Sequence, residues 1–302
     1  MKLNDFINKK NILEKLLCLL KVYREERLYY EFNINPDCSN YRANEERLCY
    51  SDVVDFGYIF DDIVCVDLKY IYGVDSSVVT EIKDRFGIEE VQSEWILNSA
   101  RDDYRHELSK DEEYLSDFKV ENFRAIIVHD NKVDFSCNFI SSVNVVNNPD
   151  SHFFLDIELC GLDTSFDELP IYKQALCESY KLMYEGKYKL SFFMAYVSFD
   201  GFVNFHHGSS QEEKRLSEKF SELFLKNSPG GMLQKHQLYT MICGKINGFD
   251  AIRNGIAHGD IRGQHITLEN CKEIVMYVSM AICSFEFKLD KLVDLNAEIK
   301  SI

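Results

Sequence analysis

The sequence lacks the short motifs that identify several common kinds of site. Its ten cysteines include no Cys-x-x-Cys pair, and His206 and His207 are adjacent, so neither residue type has zinc-binding spacing. A phosphate-binding P-loop and a dinucleotide-binding glycine fingerprint are also missing. We therefore predict no metal and no cofactor.

Long apolar segments are missing as well. The longest run, from Ile274 to Phe285, is too short to cross a bilayer and is interrupted by two serines. An earlier run, from Leu16 to Leu20, is short and flanked by charged residues, unlike a signal peptide. We expect no membrane segment, reduced cysteines and a cytoplasmic location.

Positive charge is scarce, but unevenly so. The chain has 34 Lys and Arg against 50 Asp and Glu, a net charge of −16. Residues 171–302 sum to +1, which leaves −17 for residues 1–170. An acidic surface repels nucleic acid, so only the C-terminal part can hold a cationic patch for phosphate.

The pattern of apolar residues divides the chain into two predicted domains. Residues 1–165 have the mixed periodicity of an α+β domain, and residues 166–302 have that of an all-α helical bundle. In the first domain we predict a helix over 12–29, strands over 58–66 and 153–159, and a hairpin over 123–137. Two further predicted helices cover 77–86 and 91–108.

The second domain is helical throughout. We predict helices over 170 to about 185 and over 187 to about 205, the latter apolar on nearly all sides and therefore buried. A capping box at Ser209 or Ser210 begins a third helix, a fourth follows a Pro-Gly-Gly turn, and Thr267 begins a fifth.

The fourth helix carries the most informative cluster. Asp250, Asn254 and His258 recur every four residues and share one helix face, and Arg253 lies on the adjoining face. Gly259 ends the helix. A polar cluster in apolar surroundings must be hydrogen-bonded or used in function. The surrounding apolar positions are Ile242, Ile246, Phe249, Ile252 and Ile256.

The same Arg-to-His spacing occurs a second time, at Arg101 and His106. There the segment is charged at nearly every position, which is typical of the solvated face of a helix. We interpret that second occurrence as structural.

The C-terminal part resembles the HEPN domains, helical modules many of which are RNA-cleaving toxins or defence effectors. The resemblance rests on Arg253-Asn254 and on Ile256–Gly259, which match that family's Arg-Asn-x-x-x-His signature near the end of a late helix. The segment Tyr180–Tyr188, followed by a long apolar helix with one acid, Asp200, is similar to the family's first helix pair. The resemblance covers roughly residues 166 to 302.

This resemblance implies a metal-independent endoribonuclease that acts as a toxin or antiphage-defence effector. Family members are generally dimers whose two signatures meet, so it implies a homodimer through the C-terminal helices, with the apolar final helices as the surface. An antitoxin or regulatory partner is also implied.

The residue types suit cleavage of RNA by its own 2′-hydroxyl. His258 would transfer a proton, Arg253 would neutralise charge on the phosphate oxygens, and Asn254 would orient the phosphate or the imidazole.

Four further residues are assigned supporting parts. Asp200 is a suitable partner for Arg253 if it is buried, and Asp250 caps or orients. Lys245 and Arg262 are candidates for binding the substrate's phosphates.

The same residues are compatible with two other functions. The helices could instead form a non-catalytic nucleotide-binding or RNA-binding platform, or a dimerisation module that regulates a partner. The acidic domain could occupy the cationic site until a trigger removes it.

Overall fold

A computed structural model describes the chain over eleven ranges. These are residues 2–32, 40–42, 45–57, 59–60, 62–75, 119–128, 131–142, 151–162, 169–208, 214–260 and 265–302. The chain forms two compact units, one made of residues 1–24 with 162–302 and one made of residues 25–161. The N-terminal region is mixed α/β with small antiparallel sheets, and the C-terminal region is helical.

Eight α-helices of the described residues belong to the first unit, which we call the helical unit. They are α1 (Leu3–Ile7), α2 (Ile12–Leu19), α3 (Ile171–Tyr184), α4 (Tyr188–His207), α5 (Leu216–Leu225), α6 (Gln237–His258), α7 (Leu268–Glu286) and α8 (Leu292–Lys300). Two short 3₁₀ turns, Pro229–Gly231 and Leu233–Lys235, connect α5 to α6. None of the helices in the described ranges is long and apolar enough to span a membrane.

Helix α7 lies at the centre of this unit. Every residue from Ile274 to Ser284 is buried, because α2, α3, α4 and α6 all pack against it. The sequence instead predicted that the second helix of the bundle, α4, is apolar on nearly all sides and is the central buried helix. That prediction is wrong, because Leu190, Val197 and Phe205 of α4 are exposed.

The N-terminal helix α2 is part of the same core. Leu16 and Leu17 are fully buried, and α2 packs against α7 and α8. The hydroxyl of Tyr180 donates to Glu14 Oε1 at 3.1 Å, which ties α3 to α2. The helical unit therefore includes a segment that the sequence prediction assigned to the acidic domain.

Helix α2 is also shorter than predicted. The predicted helix over 12–29 ends at Leu19, because Lys21 adopts a left-handed conformation with φ 58°. The amide of Val22 then donates to the carbonyl of Leu17, the hydrogen bond that closes a Schellman helix end. Strand β1 begins at Tyr23.

Other helix boundaries follow the sequence closely. Pro170 immediately precedes α3, Gly186 follows it with φ 74°, and Thr267 caps α7 through a capping box with Asn270. The predicted start of the third helix at Ser209 or Ser210 lies outside the described residues, and α5 begins at Leu216.

The second unit contains two small sheets. Its strands are β1 (Tyr23–Phe32), β2 (Asn40–Arg42), β3 (Glu45–Asp55), β4 (Asp62–Asp75), β5 (Lys119–Ile127), β6 (Lys132–Ser142) and β7 (Ser151–Leu162). One sheet has the order β1-β7-β4, and the other has the order β2-β3-β6-β5 with antiparallel pairing throughout.

The predicted hairpin over 123–137 is confirmed as the β5–β6 pair. Asn131 lies at its turn with φ 59°, a conformation that asparagine tolerates. Its side chain accepts a hydrogen bond from the amide of Ile63 at 3.0 Å and donates one to the carbonyl of Phe60 at 3.2 Å. The hairpin turn is thus tied to the start of β4.

The other strand predictions hold in part. The predicted strand over 153–159 is confirmed within β7, whereas the one over 58–66 begins only at Asp62, with β4. The helices predicted over 77–86 and 91–108, with Arg101 and His106, lie outside the described residues.

Membership of α2 in the helical core leads to a stability prediction. Replacing Leu16 by alanine removes a fully buried side chain, so we expect the free energy of unfolding to fall by about 2–5 kcal/mol. Leu225→Ala is the matched control, because Leu225 is 42% exposed. Urea denaturation followed by circular dichroism measures both, and equal losses in the two variants would show that α2 is not part of the core.

Candidate functional site

The helix that carries the predicted catalytic residues, α6, has well-defined ends. At its start, Nδ1 of the buried His236 accepts a hydrogen bond from the amide of Tyr239 at 3.1 Å and so caps the helix. At its end, Gly259 has φ 69°, and the amide of Asp260 donates to the carbonyl of Gly255 at 2.9 Å. This Schellman end makes His258 the last residue of α6, as the sequence predicted.

One face of α6 is anchored in the core as far as Phe249. Leu238, Ile242, Ile246 and Phe249 are buried along one stripe, and the Phe249 ring packs edge-on against Phe192 of α4 with centroids 5.7 Å apart. Beyond Phe249 the only buried α6 residue is Gly255. The last two turns of α6 therefore extend beyond the anchored part of the helix, and they carry the polar side chains.

Four side chains in these turns and on α4 form a closed cluster, which we call the polar cluster: Tyr196, Asp250, Arg253 and Asn254. The Tyr196 hydroxyl donates to Asp250 Oδ1 at 2.9 Å, and the Asn254 amide reaches Asp250 Oδ2 at 3.5 Å. Arg253 Nη1 donates to Asn254 Oδ1 at 2.7 Å. The guanidinium carbon lies 5.1 Å from the centre of the Tyr196 ring, a cation–π contact that closes the cluster.

The electrostatics of the cluster keep the Tyr196 hydroxyl protonated. Burial raises the pKa of Tyr196 above its ordinary value of 10.0, and the hydrogen bond to Asp250 and the Asp250 charge raise it further. Arg253 opposes the shift, and the charge of Asp200 adds to it. The hydroxyl therefore acts as a donor to Asp250 across the physiological pH range.

Arg253 lacks a direct ion pair within the described part of the chain. Among the residues that the structure describes, no carboxylate forms a salt bridge with it. Asp200 is half-buried and accepts a hydrogen bond from Asn204 of the next turn at 2.9 Å. The expected pairing of Asp200 with Arg253 is thus not formed. With one of its five N–H groups given to Asn254, the half-buried guanidinium retains donors for an oxyanion.

His258 lies one turn beyond Asn254 and is exposed. Within the described ranges its imidazole forms no hydrogen bond or ion pair. The side chain is therefore open to a substrate or to a second protein molecule, and no described neighbour fixes its tautomer.

Of the two residues predicted to bind phosphate, Lys245 and Arg262, the structure describes only Lys245. Lys245 pairs with Glu273 at 2.6 Å and lies 5.8 Å from the Tyr277 ring centre. The hydrogen bond to Glu273 raises the pKa of Lys245. Lys245 precedes Arg253 by eight residues, roughly 12 Å along the helix, so Lys245 is not part of the polar cluster. Arg262 lies outside the described residues.

The sequence analysis missed Tyr196, which lies in the helix that it predicted to be apolar on nearly all sides and buried. The side chain is indeed only 4% exposed. Its position four residues before Asp200 places both on one face of α4, and the need of a buried hydroxyl for a partner was the available signal. What the sequence could not supply is that this face meets the end of α6.

A separate cleft of about 540 Å³ lies elsewhere in the helical unit, between the first two helices and the start of α7. Its charged lining combines lysines and glutamates of opposite sign, and it contains no residue of the polar cluster. Across the described part of the chain, no group of three or more His, Cys, Asp or Glu side chains is placed to hold a metal ion.

Comparison with protein-family models, curated proteins and solved structures gives no match. The resemblance to the HEPN family therefore stays a prediction based on the signature residues.

Proposed function

We propose that the chain is a metal-independent endoribonuclease of the HEPN type, acting in the cytoplasm as a toxin or antiphage-defence effector. Arg253, Asn254 and His258 are its catalytic residues. The observation that carries the proposal is the arginine, which the polar cluster holds through an amide and an aromatic ring instead of a carboxylate, five residues before an exposed histidine on the same helix.

These groups supply what cleavage of RNA by its own 2′-hydroxyl requires. The 2′-oxygen forms a bond to the adjacent phosphorus while the bond from phosphorus to the 5′-oxygen breaks. One proton leaves the 2′-hydroxyl and another is delivered to the departing 5′-oxygen. An imidazole performs such transfers near neutral pH, and Arg253 stabilises the charge that grows on the non-bridging oxygens. The products carry a 2′,3′-cyclic phosphate and a 5′-hydroxyl.

Cleavage needs two proton transfers, and each copy of the chain supplies one signature histidine. This favours a site shared by two copies of the chain. The sequence pointed to the apolar final helices as the contact surface. Of these, α7 is buried within the unit, whereas Val293 of α8 is 52% exposed. The exposed apolar side chains on α4 are a better candidate, because Leu190, Val197 and Phe205 are 55%, 37% and 63% exposed. Val197 directly follows Tyr196 in the sequence, on the adjoining face of α4.

A non-catalytic role in binding nucleotide or RNA, or in dimerisation, is the second candidate function. It is favoured by one observation, the absence of any hydrogen bond from His258 to a described residue. Catalytic histidines are usually oriented by a second group. In that case Arg253 and Asn254 would bind phosphate without cleavage.

The acidic N-terminal part is proposed to regulate the site, and an antitoxin or regulatory partner could act in the same way. Regulation by the acidic part can be tested with a truncated protein, provided that this protein keeps the whole helical core. Residues 166–302 alone lack α2, which belongs to the helical core, so the truncated protein should join residues 1–24 to residues 162–302.

Replacing His258 by alanine tests the proposed activity. Loss of the proton-transfer group should lower RNA cleavage by about 10²-fold or more, while the fold persists because the side chain is exposed. His265→Ala is the matched control, since His265 is also exposed and lies outside the signature. Cleavage of a radiolabelled RNA by the purified proteins measures the effect. Equal rates for wild type and His258→Ala exclude the proposal, and RNA binding without cleavage by wild type favours the binding module.

The proposed dimer predicts that a charge on the α4 stripe separates the two copies. Val197→Asp should weaken self-association by about tenfold or more, because it would bury an unpaired carboxylate in the contact. Leu225→Asp on α5 is the control, being similarly exposed. Sedimentation at micromolar concentration measures association. A wild-type monomer with full activity contradicts the shared site.

A further inference from the structure

We infer that Tyr196 is a positioning residue for the proposed reaction: through Asp250 and Asn254, and through its own ring, it holds the Arg253 guanidinium where the transition state needs it. The inference rests on the proposed function, and it adds a residue outside the Arg-Asn-x-x-x-His signature. It concerns how the arginine is held, not whether the arginine is used.

Tyr196 is itself firmly held. Its side chain is 4% exposed and packs edge-on against Phe199, with centroids 6.3 Å apart. Phe199 in turn packs edge-on against Phe220 of α5 at 5.0 Å. A ring fixed by such neighbours has little freedom to move, so it provides a stable support for a flexible arginine.

The residue contacts both ends of a three-member chain on α6. Its hydroxyl donates to Asp250, the first member, and its ring face lies under the guanidinium of Arg253, the last. Asp250 and Arg253 are three residues apart and so are neighbours on the helix surface. Tyr196 of α4 therefore links the first and last members of this chain of side chains, which α6 alone does not connect.

The hydrogen bonds that link Asp250, Asn254 and Arg253 can run in one donor-to-acceptor direction only. An ionised carboxylate only accepts hydrogen bonds, so Asp250 accepts from both the Tyr196 hydroxyl and the Asn254 amide nitrogen. That arrangement turns the amide oxygen of Asn254 toward Arg253 Nη1. If Asp250 is removed, the Asn254 amide can turn over, and its NH₂ group would then face the guanidinium with no acceptor.

Positioning of this kind affects the chemical step more than substrate binding. A phosphate in the ground state can be bound by an arginine in several rotamers, whereas the charge of the transition state requires one geometry. A displacement of about 1 Å can reduce the rate by about 10²-fold. Loss of the hydroxyl should therefore lower kcat and leave KM nearly unchanged.

The test compares Tyr196→Phe with wild type in RNA cleavage. This variant keeps the ring under Arg253 and removes the hydrogen bond to Asp250, so we expect kcat to fall about tenfold with KM within about twofold. Tyr172→Phe is the matched control. The Tyr172 hydroxyl also donates to a carboxylate, Glu286 at 3.0 Å, but away from the cluster, and its loss should leave kcat unchanged. Wild-type kcat in Tyr196→Phe overturns the inference.

A double-mutant cycle separates positioning from general stability. If the hydroxyl acts only through Asp250, then Asp250→Ala and the double variant Tyr196→Phe/Asp250→Ala should have the same kcat. Multiplication of the two single effects would overturn the proposed chain. Asp250 is exposed, so its replacement leaves the core intact and the Asp250→Ala rate can be compared with wild type even if Tyr196→Phe fails to fold.

A second measurement does not depend on activity. Nitrogen NMR of the Arg253 side chain reports how fast its guanidinium rotates, and we expect slow rotation in wild type and faster rotation in Tyr196→Phe. Wild-type protein that fails to cleave RNA would refute the proposed function, and the rotation rates alone would then decide the positioning claim. Equal rates in the two proteins would reject it.

Discussion

Burial of α7 on every face is the constraint on which the helical unit depends. A helix that is apolar all round must be covered on all sides, and here α2, α3, α4 and α6 provide that cover. Because α4 and α6 share this support and also pack against each other, the end of α6 meets the face of α4 that carries Tyr196. The polar cluster thus follows from how the core is covered.

Positive charge in the helical unit is held in two ways, by glutamates and by neutral groups. Lys173 pairs with Glu286 at 3.0 Å, Lys214 with Glu222 at 3.1 Å and Lys245 with Glu273 at 2.6 Å. Arg253 is held instead by a neutral amide and an aromatic face. Lys9 is held in the same way, by the Asn296 side chain and the Phe6 ring. In a chain of net charge −16, a cation held without a direct carboxylate partner is a suitable group for a phosphate.

Features that depend on local chemistry were predictable from the sequence. Gly259 and Thr267 mark helix ends because a left-handed glycine and a capping hydroxyl act within a few residues, and the β5–β6 hairpin depends on its own turn. Features that depend on tertiary contacts were not. The place of α2 in the helical core and the exposed face of α4 are set by distant neighbours.

The candidate site shows the same division. Asp250, Arg253, Asn254 and His258 could be grouped from their spacing along one helix. Tyr196 could not, because it lies 54 residues before Asp250 in the sequence and reaches it only through the packing of α4 on α6. Likewise, Asp200 was expected to pair with Arg253, and that expectation was wrong. Arg253 donates instead to the side-chain amide oxygen of Asn254.

The most direct measurement uses an RNA with a single 2′-deoxy nucleotide at the cut site, incubated with wild-type protein in the presence of EDTA. We expect the all-ribose RNA to be cleaved under these conditions, leaving a 2′,3′-cyclic phosphate, and the position that lacks the 2′-hydroxyl to stay intact. Cleavage at the deoxy position at an undiminished rate, or loss of all cleavage in EDTA with recovery on addition of magnesium, would contradict the account.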